Sequence, residues 1–193
     1  MNNKFKYTEL IQSYATELGF DSVGFAKADF LETEAQHLET WLNNNYHGKM
    51  YYMANHFDKR LDPRLLLDDC KTVVVLTYNY YPNKIQNENT YQIAKYAYGD
   101  DYHKIVKDKL YLIYERIQEQ IGAVNARVFV DSAPILERVW ANKSGLGWQG
   151  KHTLLINKKR GSFFFIAIML LDIELNYNET IATNHCGTCT KCI

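Results

Sequence analysis

Three cysteines close the sequence as Cys186-Gly-Thr-Cys189-Thr-Lys-Cys192. Thiolates at every third position let a single loop wrap a cubane, and the small or polar residues between them leave backbone N–H groups free to bond the sulfurs. Bacterial iron–sulfur motifs share this spacing and add a fourth cysteine four residues on, a position that falls past Ile193 here. A zinc site and free thiols are the alternatives. Zinc usually takes paired Cys-x-x-Cys units at longer separation, and only His185 stands close by as a fourth ligand. The iron–sulfur reading is therefore preferred. A sequence ending one residue after Cys192, within the motif, is expected to be part of a longer protein.

Asp131 is the carboxylate whose position suggests chemistry. It follows the β-prone run Arg127–Val130 and precedes Pro134 at the expected start of a helix. Carboxylates at strand ends commonly face a ligand crevice, although an acid ahead of a helix can also serve the helix dipole alone. His103, in Asp100-Asp101-Tyr102-His103, falls in the first turn of a helix, where a solvated or capping role is the simpler expectation. Gly145-Leu-Gly147-Trp-Gln-Gly150 matches the dinucleotide pattern GxGxxG. That pattern needs a strand before it and a helix after it, so that the helix N-terminus can hold the pyrophosphate. Here a helix precedes and a strand follows, so these glycines are expected to admit a large ligand or a neighbouring element. Lys151 and His152 could hold an anion, whereas Lys158-Lys159-Arg160 reads as a charged hairpin tip. From Arg138 to Ile193 there are seven Lys and Arg against three acids, a modest basic face able to meet RNA phosphates. Cys70, just before a strand, reads as structural.

These residues need a frame. The 193 residues are 47% hydrophobic and 14% aromatic, enough for one domain with its own core. Lys+Arg 22 and Asp+Glu 22 cancel, so no global field draws nucleic acid or anionic lipid. The start, MNNKFKYTEL, has no apolar stretch of the export type. The longest apolar run, Phe163–Leu171, is nine residues, against roughly 20 for a membrane span. A cytoplasmic protein is expected.

Apolar residues at Phe5, Leu10, Ile11, Tyr14 and Leu18 predict a first helix stopped by Gly19, and Leu31, Ala35, Leu38 and Leu42 a second ending near Gly48. Asp100–Ile121 predicts a long amphipathic helix. Pro134 should open another, closed by Gly145. Strands are expected at Asp21–Ala28, Thr72–Tyr80 and Arg127–Val130. Thr153–Asn157 and Ser162–Leu171 read as a hairpin around Lys158–Gly161. Asp62-Pro63 should open a short turn or helix, and Pro82–Thr90 is polar loop. The sum is one α/β or α+β domain over residues 1–180, with a cysteine-rich tail over 181–193.

Five segments, in order, resemble the epoxyqueuosine reductase family. They are Gly48-Lys-Met-Tyr-Tyr-Met-Ala with Lys59-Arg60-Leu-Asp62-Pro63-Arg64; Asn79-Tyr80-Tyr81-Pro82; Lys95-Tyr96-Ala97-Tyr98-Gly99-Asp100-Asp101-Tyr102-His103; Val130-Asp131-Ser132-Ala133-Pro134-Ile-Leu-Glu137-Arg138; and Gly145-Leu-Gly147-Trp148-Gln-Gly150-Lys151-His152-Thr153-Leu154-Leu155-Ile156-Asn157. Gln149 and His152 depart from the apolar residue and Asn that the resemblance leads one to expect.

The resemblance implies a cytoplasmic, monomeric enzyme carrying cobalamin and two [4Fe-4S] clusters, fed by an unidentified electron donor. It would reduce epoxyqueuosine at the wobble position of tRNA to queuosine, the last step of queuosine biosynthesis. The fold implied is a cobalamin-binding domain resembling the reductive dehalogenase core, followed by the start of a ferredoxin-like 4Fe-4S segment with Cys186, Cys189 and Cys192 as cluster ligands. Asp131 maps onto the family's general acid, and a carboxyl that protonates substrate near neutral pH is expected to be buried with a raised pKa. Tyr102 and His103 would orient groups in the same pocket. The corrin would lie against Arg60, Tyr96, Ala97, Tyr98 and Ser132, and against Lys151, Thr153, Leu154, Leu155, Ile156 and Asn157. Other readings are a cobalamin-dependent reductase of a different substrate, and a non-enzymatic cobalamin- or RNA-binding or zinc-stapled module.

Overall fold

The computed structural model describes residues 3–178 and 182–193. Its centre is the pair of runs richest in β-branched and apolar residues, β2 (Thr72–Asn79) and β6 (Phe164–Leu171). They pair antiparallel over eight residues, from Thr72 opposite Leu171 to Asn79 opposite Phe164. β1 (Ser22–Lys27) joins the outer side of β2, and β3 (Ala126–Phe129) the outer side of β6. The order is β1-β2-β6-β3, and every pairing is antiparallel.

Side chains alternate across a strand, and both faces of this sheet are covered. Val74, Leu76, Met169 and Leu171 join Ile11 and Ala15 of α1 (Asn3–Glu17), and Val106, Leu110, Ile113 and Ile117 of α4 (Tyr102–Ile121), in one core. Val73, Val75, Ile168 and Leu170 form the other, with Leu61 of α3 (Phe57–Leu61) and with Trp140 and Ala141 of α5 (Glu137–Lys143). α2 (Glu32–Asn43) lies over this second face and buries no residue fully. A sheet clothed on both faces needs unbroken apolar runs, which is why TVVVLTYN and FFIAIMLL do not alternate. The fold is mixed α and β with an antiparallel sheet. None of the described helices is long and apolar enough to cross a membrane.

Two expectations fail here. Thr153–Asn157 does not form a hairpin with the last long strand; β5 (Leu155–Ile156) pairs instead with β4 (Trp148–Gln149). A nearer partner wins, because Gly147 has no Cβ to obstruct the Ile156 carbonyl. Of the hairpin only the Asn157–Gly161 bridge remains, tightened by Lys159 and Arg160 N–H groups donating to Asn157 Oδ1. The last helix starts at Glu137 rather than Pro134. Residues 134–136 form tight turns, Ile135 N–H to Ala133 O and Glu137 N–H to Ile135 O, which drop Ile135 into the core. The glycine motif runs from just past α5 through β4 and is followed by β5, so no helix N-terminus follows it.

α5 lies close to β1 because Gly24 has no side chain. A Cβ there would stand 2.5 Å from the Ser144 carbonyl oxygen and 2.8 Å from Ser144 Cβ, at the end of α5. Overpacking a core contact of this kind costs about 1–3 kcal/mol. Gly24→Ala is accordingly expected to lower the urea midpoint without changing the slope, and an unchanged midpoint would show that α5 has slack to move.

Candidate functional site

β2 and β3 finish, and β6 begins, at the same end of the sheet. β3 stops opposite Ile168, so Phe164 to Ala167 have no strand partner on that side. The N-terminus of α4 covers this gap. Asp101 caps the helix by accepting the His103 N–H at 2.9 Å, and it also pairs with His103 Nδ1 at 2.8 Å. The cap fixes Tyr102, whose ring stacks on Phe165 with centroids 3.7 Å apart and planes 5° from parallel. His103 stacks on Tyr102 at 4.0 Å.

From this platform Tyr102 Oη donates to Asp131 Oδ2 at 2.6 Å. Asp131 lies two residues past the end of β3 in the left-handed region, φ 49°. Its N–H donates to Glu137 Oε1 at 2.9 Å, across the turn to the first residue of α5. Burial, and then the hydrogen bond to Asp131, push the Tyr102 hydroxyl well above the usual phenol range, so it remains a donor. Glu137 is pushed up to about 8, first by burial and then by the neighbouring Asp131 carboxylate. The expectation of a buried Asp131 is corrected. It is exposed, because the left-handed turn throws it clear of the sheet end, and the half-buried carboxyl is Glu137.

Two hollows meet at these residues. One, of about 410 Å³, is walled by Met53, Arg60, Ile135 and Gln149. The other, about 340 Å³, is walled by Tyr80, Tyr96, Leu154 and Phe165 with Tyr102. Asp131, Glu137 and Arg138 line both. Arg60, Tyr96, Tyr102, Asp131 and Leu154 thus line these two hollows, and Tyr98 lines an adjoining hollow beside Tyr96. Ala97 lies exposed in the short 3-10 turn Lys95–Ala97. Others do different work. Ser132 lines a separate hollow with Lys107 and Arg127. The Thr153 carbonyl accepts from Arg138 at 2.6 Å, Leu155 belongs to the core, and Ile156 packs beneath Gly147 and Gly150. Asn157 Nδ2 ties to the Leu146 carbonyl. Glu137, Arg138, Tyr80 and Phe165 were not expected. An acid opening the helix that follows a strand-end aspartate was the available signal for Glu137.

The cysteine tail lies against the glycine loop. Trp148 Nε1–H donates to Cys186 Sγ at 3.3 Å, and Lys151 Nζ to the Cys189 carbonyl at 2.9 Å. The Trp148 bond, followed by the Lys151 N–H, lowers the Cys186 thiol from its ordinary value. Cys189 and Cys192 are exposed, and among the described residues no three His, Cys, Asp or Glu are gathered as a metal centre. The three-thiol ligand set and the ferredoxin-like segment are therefore not assembled here; residues 186–193 form turns only. Cys70 is buried and pushed up to about 12 by burial, as a structural thiol should be.

The family model described as "Epoxyqueuosine reductase QueG, DUF1730" matches residues 60–132, from Arg60 to just past Asp131. An epoxyqueuosine reductase of Leadbetterella byssophila is 59% identical over 97% of this chain and 62% of its own length. A solved epoxyqueuosine reductase bound to a tRNA-Tyr epoxyqueuosine-modified stem loop shares the fold at TM-score 0.86, with 23% identity over 97% of this chain and 50% of that one. A reductive dehalogenase described in terms of B12-dependent dehalogenation aligns at TM-score 0.62, with 12% identity over 95% of this chain and 22% of that one. The chain spans about half to three fifths of the length of the curated relatives it matches. The matched segment carries the Tyr102–Asp131 pair and the sequence agreement runs almost end to end, so the chain belongs to the epoxyqueuosine reductase family.

Proposed function

We propose that this chain forms the part of an epoxyqueuosine reductase in which the epoxide of epoxyqueuosine in tRNA is reduced to the alkene of queuosine. The observation that carries the reading is the Tyr102-to-Asp131 hydrogen bond at the mouth of two joined hollows. Losing the epoxide oxygen breaks two C–O bonds, takes up two electrons and two protons, and releases water. Asp131 is the donor that protonates the departing oxygen. It is accessible to a large substrate, and Tyr102 fixes its orientation. The tRNA phosphates would meet the basic stretch from Arg138 onward, and the reaction would run in the cytoplasm.

Cobalamin is the cofactor the family implies, and the cleft suits its shape. A flat macrocycle rimmed with amides needs an apolar surface and polar groups at the edge. The Tyr102–Phe165 stack and Leu154 supply the surface, while Arg60, Arg138 and Gln149 supply the edge, so these residues fit. When bound, cobalamin supplies the electrons. Tyr96 and Tyr98 extend the aromatic wall. For a [4Fe-4S] cluster, Cys186, Cys189 and Cys192 fall one short of the four thiolates a cubane takes, and no step is assigned to it.

An anaerobic titration with cob(II)alamin, followed by electron paramagnetic resonance, tests the cofactor assignment. Stoichiometric binding is expected, and a spectrum unchanged from free cofactor counts against it. In the full-length enzyme, Asp131→Asn should keep cobalamin affinity and lower turnover of epoxyqueuosine tRNA by about 10²–10⁴-fold, the range of a lost general acid. Wild-type turnover in that variant would remove Asp131 from the reaction. Tyr102→Phe keeps the stack on Phe165 and loses the bond to Asp131. A drop of roughly tenfold is expected from a hydrogen bond worth about 1.5 kcal/mol.

A further inference from the structure

The reduction consumes two protons, and Asp131 holds one at a time. We propose that Glu137 is the positioning and proton-reserve residue for Asp131, fixing its backbone through Oε1 and supplying its carboxyl with the proton for each of the two transfers. The proposal rests on the reading of Asp131 as the donor.

The geometry comes first. A non-glycine residue at φ 49° sits in a sparsely populated region that its surroundings must hold. The 2.9 Å bond from the Asp131 N–H to Glu137 Oε1 is the contact that does so, while Tyr102 holds the carboxylate end. Glu137 also lines both hollows beside Asp131, so the two residues share one cleft.

The charges around Glu137 agree. An acid in the first turn of a helix is ordinarily favoured as the anion. Here burial and Asp131 outweigh that preference and keep the group largely protonated near neutral pH. Asp131 and Tyr102 face it from the β3 loop and from α4. On the cationic side, Arg138 of α5 pulls its pKa down only weakly, its guanidinium being drawn to the Thr153 carbonyl, and Arg60 of α3 stands on the cavity wall. The bookkeeping balances from a resting pair with its one proton on Glu137: Glu137 passes it to Asp131, Asp131 delivers it to the oxygen, Glu137 takes a fresh proton from water, and the same relay supplies the second. Glu137 then reloads from water once more.

Glu137→Gln separates the two roles, because the amide oxygen can still accept the Asp131 N–H but the side chain cannot titrate. In the full-length holoenzyme, kcat is expected to fall about 10–100-fold, with KM for tRNA unchanged. The wild-type loss of kcat as pH rises through about 8 should disappear. Glu137→Ala should lose more than Glu137→Gln, since it also releases the backbone. Carboxyl NMR of the glutamate-labelled chain should show one group titrating near pH 8. A folded-state pKa raised above the unfolded value near 4.3 also stabilises the fold at low pH. That contribution is lost as pH climbs to about 8, and Glu137→Gln should flatten the slope. A Glu137→Gln enzyme with wild-type kcat and pH profile overturns the proposal, as does the absence of a glutamate titrating near pH 8 should the variant fail to fold. If Asp131→Asn itself turns over normally, it is the reading of Asp131 that falls; a dead Asp131→Asn beside a normal Glu137→Gln removes Glu137 alone.

Discussion

The eight-residue register between β2 and β6 determines where everything else lies. Both strands are buried on two faces, and their alternating side chains feed two separate cores. Helices must cover each face, and their ends come to rest where the sheet ends. β3 matches only half of β6. An unpaired strand edge is ordinarily a hazard. This one is covered by the Tyr102–Phe165 stack, which turns exposed sheet into the floor of a cleft. The site therefore follows from one strand being four residues shorter than its neighbour.

Much of this was legible in the residues, because it depends on local periodicity. Thr72–Asn79 and Tyr102–Ile121 appear within two residues of where composition and apolar spacing put them. The order of elements around the glycine motif, a helix before it and a strand after it, was legible too. Partners were less legible. β-propensity says that a segment fits a pleated surface without saying which strand it meets, so Leu155–Ile156 was assigned to the wrong neighbour. Burial of single carboxyls was hidden for a similar reason. Nothing within Asp131-Ser-Ala-Pro-Ile-Leu-Glu137 shows that a left-handed turn exposes the first acid and folds the last beneath it. The cysteine spacing was plain, but spacing does not assemble a ligand set.

Two carboxyls of nearly equal intrinsic acidity become chemically distinct here through environment alone. One is exposed and held by a phenol; the other is half-buried beside the first one's charge. Environments that push paired acids apart are how proteins divide proton-transfer roles. The asymmetry needs no unusual residue, only a turn that cannot be helical until Pro134–Leu136 have passed.

The glycine loop extends this logic to the tail. Successive residues of a strand point to opposite sides, and β4 is only Trp148 and Gln149. Gln149 lines the larger hollow while the Trp148 indole bonds Cys186 Sγ. A single two-residue strand thus touches the proposed cofactor cleft on one side and the first cysteine of the motif on the other. Gly147 and Gly150 keep that strand pressed against Leu155–Ile156, since a Cβ at Gly147 would strike the Ile156 carbonyl and one at Gly150 the side chains of Ile156 and His152. Any shift of the loop would be felt at both places, so the glycines that resemble a nucleotide motif act instead to hold the cysteine tail and the cleft wall in one fixed relation.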